Sequence, residues 1–230
     1  MAALGAVHAA KKVLRKEIKA RLAAMTEEEK YRQSEILTQR LISNPKYQAS
    51  KQVSLYLSFS NEVSTEGILR HIFQSGKRVF IPRYVGDKMD MLRLFSQEDY
   101  DSLPLTKWNI KQPPDDDNTR DDALFAACCN PLAWSLHGRE SNRGEGDRIA
   151  YFFPPLGGLD LIIMPGLGFT PEGHRLGRGK GYYDSYLKKC AVLPSGQPYT
   201  IALAFREQMC DHIPVSEHDM TVDEVLFVEK

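Results

Sequence analysis

Neither sign of charge prevails in this sequence: 30 Lys and Arg are matched by 30 Asp and Glu, a formal net charge of zero over 230 residues. That balance argues against general nucleic-acid or membrane-surface binding, which needs a basic surplus. Cysteine is scarce too. Cys128 and Cys129 are adjacent, Cys190 and Cys210 stand alone, and no C-x-x-C pair occurs. A disulfide framework or a structural zinc site is therefore not expected, and a reducing compartment suits the chain. No apolar run reaches the length of a membrane span; "LDLIIMP" is far too short. No internal repeat is visible. What is present is a globular composition, 42% hydrophobic, with length for one large domain and a substantial core. The N-terminus, "MAALGAVHAAKKVLRKEIKARLAAM", is basic and has no acid before Glu17. A cytoplasmic protein is expected. A mitochondrial presequence is the alternative, weakened by few serines and by direct continuation into a helix.

Hydrophobic periodicity predicts alternating helices and strands. Ala10, Val13, Leu14, Ile18, Leu22 and Met25 form a helical stripe, with Lys11, Arg15 and Lys19 on another face. From pattern alone that basic face reads as solvated. Thr26 and Glu29 have the spacing of a capping box and open a second helix, which Asn44-Pro45 stops near Ser43. Strands are expected at Val53–Phe59, over "KRVFIPRY" as far as Pro82, over "MDMLRLF", at Leu159–Met164, at Tyr199–Phe205 and over "DEVLFV". Helices are expected at Thr65–Gln74, closed by Gly76, and at Tyr182–Cys190. The order implies a single α/β domain with a largely parallel sheet covered by helices. The segment 125–156 breaks this rhythm. It is rich in Gly, Pro, Arg and Ser without sustained periodicity, and it is read as a disordered or atypical insertion.

"GHRLGRGKGYYD", Gly173 to Asp184, concentrates charge that the chain otherwise balances. Glycine lets backbone N–H groups approach an anion, Arg and Lys add charge-assisted hydrogen bonds, and a helix starting near Tyr182 aims its positive end at the same place. The stretch is not the common NTPase loop: Gly181 follows Lys180 where Ser or Thr is needed, and His174 replaces the first glycine. Nor is "GLGFTP" a dinucleotide fingerprint, since Pro171 takes the third glycine position. A phosphate-binding loop of another type is expected, just beyond the carboxyl end of an apolar strand; a mobile basic turn is the plainer reading. A polyphosphate would bring magnesium, for which Asp184 and Asp219 are candidates, although nothing in their spacing pairs them.

Taken together, "LGRGKGYYD", "IIMPGLGFTPEGHR", "FIPRY", "LSFSNEVST" and "HDMTVDEVLF" resemble the 5-formyltetrahydrofolate cyclo-ligase family, also called methenyltetrahydrofolate synthetases, from Lys11 to Phe227. The resemblance implies a three-layer αβα, Rossmann-like, mostly parallel sheet. It implies an ATP-dependent ligase that closes 5-formyltetrahydrofolate to 5,10-methenyltetrahydrofolate through a phosphorylated formyl group, with magnesium as cofactor. It implies small-molecule partners only, reduced folate and ATP, with no nucleic acid or membrane; a monomer is expected. Lys11, Arg15, Arg175, Leu176, Gly177, Arg178, Gly179, Lys180, Gly181, Tyr182 and Tyr183 match nucleotide contacts, with Arg178, Lys180 and Tyr183 closest to the chemistry. Asp184 and Asp219 match the metal carboxylates. Leu57 and Glu62 match folate contacts, Tyr84 and Trp108 are candidate aromatic walls, and Tyr183 is placed at the formyl group. Rival readings are a sugar-phosphate isomerase or CoA-transferase-like enzyme, and an inactive splice-type variant that binds nucleotide without turnover. RNA binding through "GRGKGYY" is weaker still.

Overall fold

The computed structural model describes residues 2–106, 109–124 and 158–229, with side chains from residue 5 onward. The expected insertion at 125–156 and Trp108 lie outside those residues. The strands β1 (Gln52–Leu55), β2 (Arg78–Val85), β3 (Lys88–Leu94), β4 (Leu161–Met164), β7 (Tyr199–Ala204) and β8 (Glu224–Phe227) form one sheet in the order β3-β2-β1-β4-β7-β8. A separate hairpin pairs β5 (Gly168–Phe169) with β6 (Arg175–Leu176). All pairings in the large sheet are parallel except β2 with β3.

Strand side chains alternate between two cores. Val53, Leu55, Leu161, Ile163 and Ile201 face helices α1 (Ala2–Ala23), α2 (Glu27–Ser43), α3 (Pro45–Ala49) and α4 (Glu66–Gln74). Phe80, Ile162, Met164 and Ala202 face α6 (Tyr182–Ala191) on the other side. This is why "LIIM" reads as a continuous apolar run: both faces are covered. Truncating a fully buried residue such as Ile162 to Ala would cost about 2–5 kcal/mol. The three-layer αβα expectation therefore holds.

Local departures have local causes. Thr26 caps α2 by accepting from the amide of Glu29 at 3.2 Å, but the Glu29 carboxylate does not return the bond; it accepts from Arg32 and Gln33 instead. Asn44-Pro45 does stop α2, and it also starts α3: the Asn44 side chain accepts from Lys46 N at 2.8 Å, with Pro45 at the first helical position. β2 runs on through Pro82 to Val85. The β1 ladder ends at Phe80, so the missing N–H of Pro82 removes nothing on that side. A short helix, α5 (Gln97–Ser102), opens where Ser96 accepts from Asp99 N at 3.2 Å.

The strand order reverses between β1 and β4. β1 leads outward to β2 on one side, and β4 leads to β7 on the other. Loops leaving the carboxyl ends of β1 and β4 therefore part company there and leave a crevice, the usual ligand position in open α/β sheets.

Candidate active site

Both loops at that crevice carry the residues singled out from sequence. After β4 the chain turns through Gly166, forms the β5–β6 hairpin, and reaches the glycine loop before α6. Gly173 has φ +92°, and a Cβ there would collide with the carbonyl of Val222, whose amide in turn donates to Gly173 O at 2.9 Å. Only glycine allows this clamp between the glycine loop and the 216–222 segment. Gly179, at φ +104°, lies against the Arg15 guanidinium. α6 starts at Gly181 with no side-chain cap, so its first amides remain available to an anion.

The cations arrive from two directions. α1 brings Lys11 and Arg15, one helical turn apart, over the loop. Lys11 is 8% exposed and donates from Nζ to Asp219 Oδ2 at 2.5 Å. Arg15 donates from Nε to Gly177 O at 2.9 Å. The solvated-face reading of this stripe is thus overturned for Lys11. From the loop itself, Arg175 donates from Nη2 to Asp184 Oδ2 at 2.9 Å, while its buried Nε finds no partner among the described residues. Arg178 crosses the crevice to Glu62 Oε1 at 2.7 Å. Lys180 is exposed and enters no ion pair among the described residues.

The two carboxylates that spacing could not connect meet through the fold. Asp184 Oδ1 accepts from the amide of Met220, the residue next to Asp219, at 3.0 Å. Asp219 gathers three donors on Oδ2: Lys11 Nζ, Ser216 N at 2.6 Å and Ser216 Oγ at 2.8 Å. Burial pushes its carboxyl up, but the hydrogen bonds from Lys11 and Ser216 outweigh that and hold it below the ordinary aspartate value. With every donor on Oδ2, Oδ1 is left for another cation. One free carboxylate oxygen beside a cationic glycine loop fits the donor set of magnesium, which binds through one or two carboxylates plus phosphate oxygens. No group of three or more His, Cys, Asp or Glu able to hold a metal by itself occurs among the described residues.

Aromatic side chains line the β2 side. The Tyr84 and Tyr182 rings pack in a tilted arrangement, centroids 4.9 Å apart at 50°, and Tyr182 Oη donates to Gly86 O at 2.8 Å. Tyr183 is 5% exposed, and its hydroxyl has no hydrogen-bond partner among the described residues. Burial, then the neighbouring Tyr84 phenol and Glu62, push Tyr183 well above the ordinary tyrosine value; burial likewise pushes Tyr84 up to about 12. Both phenols therefore stay protonated and can donate. Leu57 borders a cleft of about 190 Å³ lined also by Ser58, Tyr100 and Lys111. Leu176 is buried in β6 and shapes the loop from beneath. The sequence reasoning missed Phe59 and Asn61, which receive Arg178, and Ser216, which holds Asp219. The only signal for Phe59 and Asn61 was their place in "LSFSNEVST"; Ser216 lies just before "HDMTVDEVLF" and gave none.

Fold and site together define a doubly wound α/β protein whose cationic glycine loop faces paired carboxylates where the strand order reverses. The sequence model of the 5-formyltetrahydrofolate cyclo-ligase family matches residues 7–146 and 155–228, and the chain belongs to that family. It is 48% identical over 223 residues to the 5-formyltetrahydrofolate cyclo-ligase of Mus musculus, covering 96% of this chain and 95% of the relative. A probable 5-formyltetrahydrofolate cyclo-ligase of Caenorhabditis elegans is 34% identical, with 97% and 95% covered. Among solved structures, the NMR structure of Aquifex aeolicus 5,10-methenyltetrahydrofolate synthetase superposes with a TM-score of 0.65 at 25% identity, over 94% of this chain and 89% of that one. The sugar-phosphate isomerase and CoA-transferase readings find no support.

Proposed function

We propose that this chain closes 5-formyltetrahydrofolate to 5,10-methenyltetrahydrofolate, converting ATP to ADP and phosphate. The observation that carries the reading is the convergence of Lys11, Arg15, Arg175, Arg178 and Lys180 on one glycine loop at the strand-order reversal. That is more positive charge than a single phosphoester requires, and it suits a triphosphate.

The chemistry explains the need for ATP. Amide resonance dulls the formyl carbon, and its oxygen is a poor leaving group. Transfer of the γ-phosphoryl group to the formyl oxygen breaks the bond to ADP and gives an imidate-like phosphate. The second folate nitrogen then attacks the formyl carbon, the C–O bond breaks, phosphate departs and the nitrogen loses its proton. Protein groups mainly position the partners and offset charge. Arg178 and Lys180 face the γ-phosphate and Arg175 steadies the loop beside it. The buried, protonated Tyr183 hydroxyl donates to the formyl oxygen. Glu62, an acceptor only, takes the N–H edge of the pterin, with Leu57, Tyr84 and Trp108 as its walls. Asp219, with Asp184 beside it, would hold magnesium, which when bound would neutralise phosphate charge.

No described helix is long and apolar enough to cross a membrane. We place the chain as a monomer in the cytoplasm, with the mitochondrion as the alternative its basic N-terminus allows. The test is incubation with 5-formyltetrahydrofolate, magnesium and ATP. The methenyl absorption band should appear together with ADP; absence of both refutes the reading.

A further inference from the structure

Three residues of the loop after β1 meet one side chain of the glycine loop. Arg178 donates to Glu62 Oε1 from Nη2 at 2.7 Å and from Nε at 3.2 Å, and Nη2 also donates to Asn61 Oδ1 at 3.2 Å. Its guanidinium lies over the Phe59 ring, 4.6 Å from the centroid. The receiving loop is itself tied down: Glu62 Oε2 accepts from Phe59 N at 3.1 Å, and Glu62 N donates to Phe59 O at 3.0 Å. Glu62 is 8% exposed, so its charge is worth more here than at an open surface. A carboxylate edge, an amide oxygen and an aromatic face are what a planar guanidinium takes, and a lysine could not engage all three.

We propose that Phe59, Asn61 and Glu62 form a receiving site for Arg178 that makes the binding of the two substrates interdependent. The inference rests on the site reading above. A guanidinium committed to Glu62 is withheld from a phosphate, and the same contact withholds Oε1 of Glu62 from a pterin N–H. A triphosphate that draws Arg178 away frees Glu62, and a pterin seated on Glu62 frees Arg178. Each ligand removes a cost the other would meet, and the effect is reciprocal by linkage. Phe59 and Asn61 are positioning residues: they set how firmly Arg178 is held and act on the substrates only through it.

The experiment is calorimetric titration of the full chain with 5-formyltetrahydrofolate and with the magnesium complex of a non-hydrolysable ATP analogue, each alone and with the other saturating. Each ligand should tighten the other by about tenfold. In Phe59→Ala, both ligands should bind more tightly alone and the mutual effect should fall toward one; Phe59→Tyr should restore both. Asn61→Ala should act in the same direction, less strongly. Arg178→Ala should give opposite signs, a weaker analogue and a tighter folate. A purely structural role for Phe59 would weaken both ligands or neither, and either result overturns the proposal. If Arg178→Ala leaves analogue affinity unchanged, the site reading itself fails. If it weakens the analogue while folate affinity stays the same, the site reading stands and the interdependence fails.

Discussion

The lobe outside β3 and the crevice between β1 and β4 both set arginines against carboxylates, and they do so differently. In the lobe, Arg120 spends every nitrogen: Nε on Asp117, Nη1 on Asp99 and the carbonyl of Arg93, Nη2 on Asp99, at distances from 2.6 to 3.0 Å. Its carboxylate partners lie 3 and 21 residues away in sequence. In the crevice, the pairs Lys11–Asp219 and Arg178–Glu62 span 208 and 116 residues. There, among the described residues, Arg175 Nε and the Tyr183 hydroxyl have no hydrogen-bond partner and Lys180 enters no ion pair. A saturated local cluster fixes a fold; an unsaturated long-range one keeps donors for something else. An orphan alone is not diagnostic, since Arg83 Nε also lacks a partner among the described residues. Convergence of several is what separates the two regions.

The sharpest way to break that contrast is one substitution on each side. Lys180→Ala removes an exposed cation with no ion pair among the described residues, so folding should be untouched while ATP-dependent cyclisation falls on the order of 100-fold in kcat/KM. Circular dichroism together with steady-state turnover checks this, and unchanged turnover would contradict the loop assignment. Arg120→Ala should do the reverse: about 3 kcal/mol less stable in urea, because two carboxylates lose their shared partner, with nucleotide affinity unaltered.

Next in size is Asp184→Asn. It weakens the tie to Arg175 beside Asp219, and the magnesium needed for half-maximal turnover should rise by roughly tenfold. An unaltered magnesium titration would remove Asp184 from the metal site. The smallest effect is on acid stability. Asp99 is held low by its Arg120 hydrogen bonds, Asp117 by the Thr119 hydroxyl, and Asp219 by Lys11 and Ser216 in spite of burial. A lowered folded-state pKa gives stability that is present above the unfolded value and lost as pH falls through the folded one. Melting temperature should therefore drop as pH falls below about 4, and Asp219→Asn should flatten part of that drop. Identical profiles for the two chains would show that the Lys11–Asp219 pair contributes nothing measurable.

What the sequence made legible follows the same divide. The parallel core announced itself because "LIIM" and "YTIALA" must be apolar on both faces. The glycine loop was visible because its composition has few other uses. Pairing across the crevice was not visible. Asp184 and Asp219 come together through a backbone amide at Met220 and the clamp at Gly173, and neither leaves a pattern in residue spacing. Phe59 was hidden for a related reason: an aromatic in a polar loop does not say which cation it will carry. Pro82 misled in the other direction, because a proline ends a strand only where its N–H would have had an acceptor.

The clamp at Gly173 has a further consequence. Because the Val222 carbonyl fills the space a side chain would need, the basic loop and the carboxylate-bearing segment behave as one inseparable cassette. An engineer wishing to graft the proposed nucleotide cradle onto another scaffold, or to retune it for a different nucleotide, would have to transplant both stretches in register; the arginine-rich piece by itself would arrive without its shape.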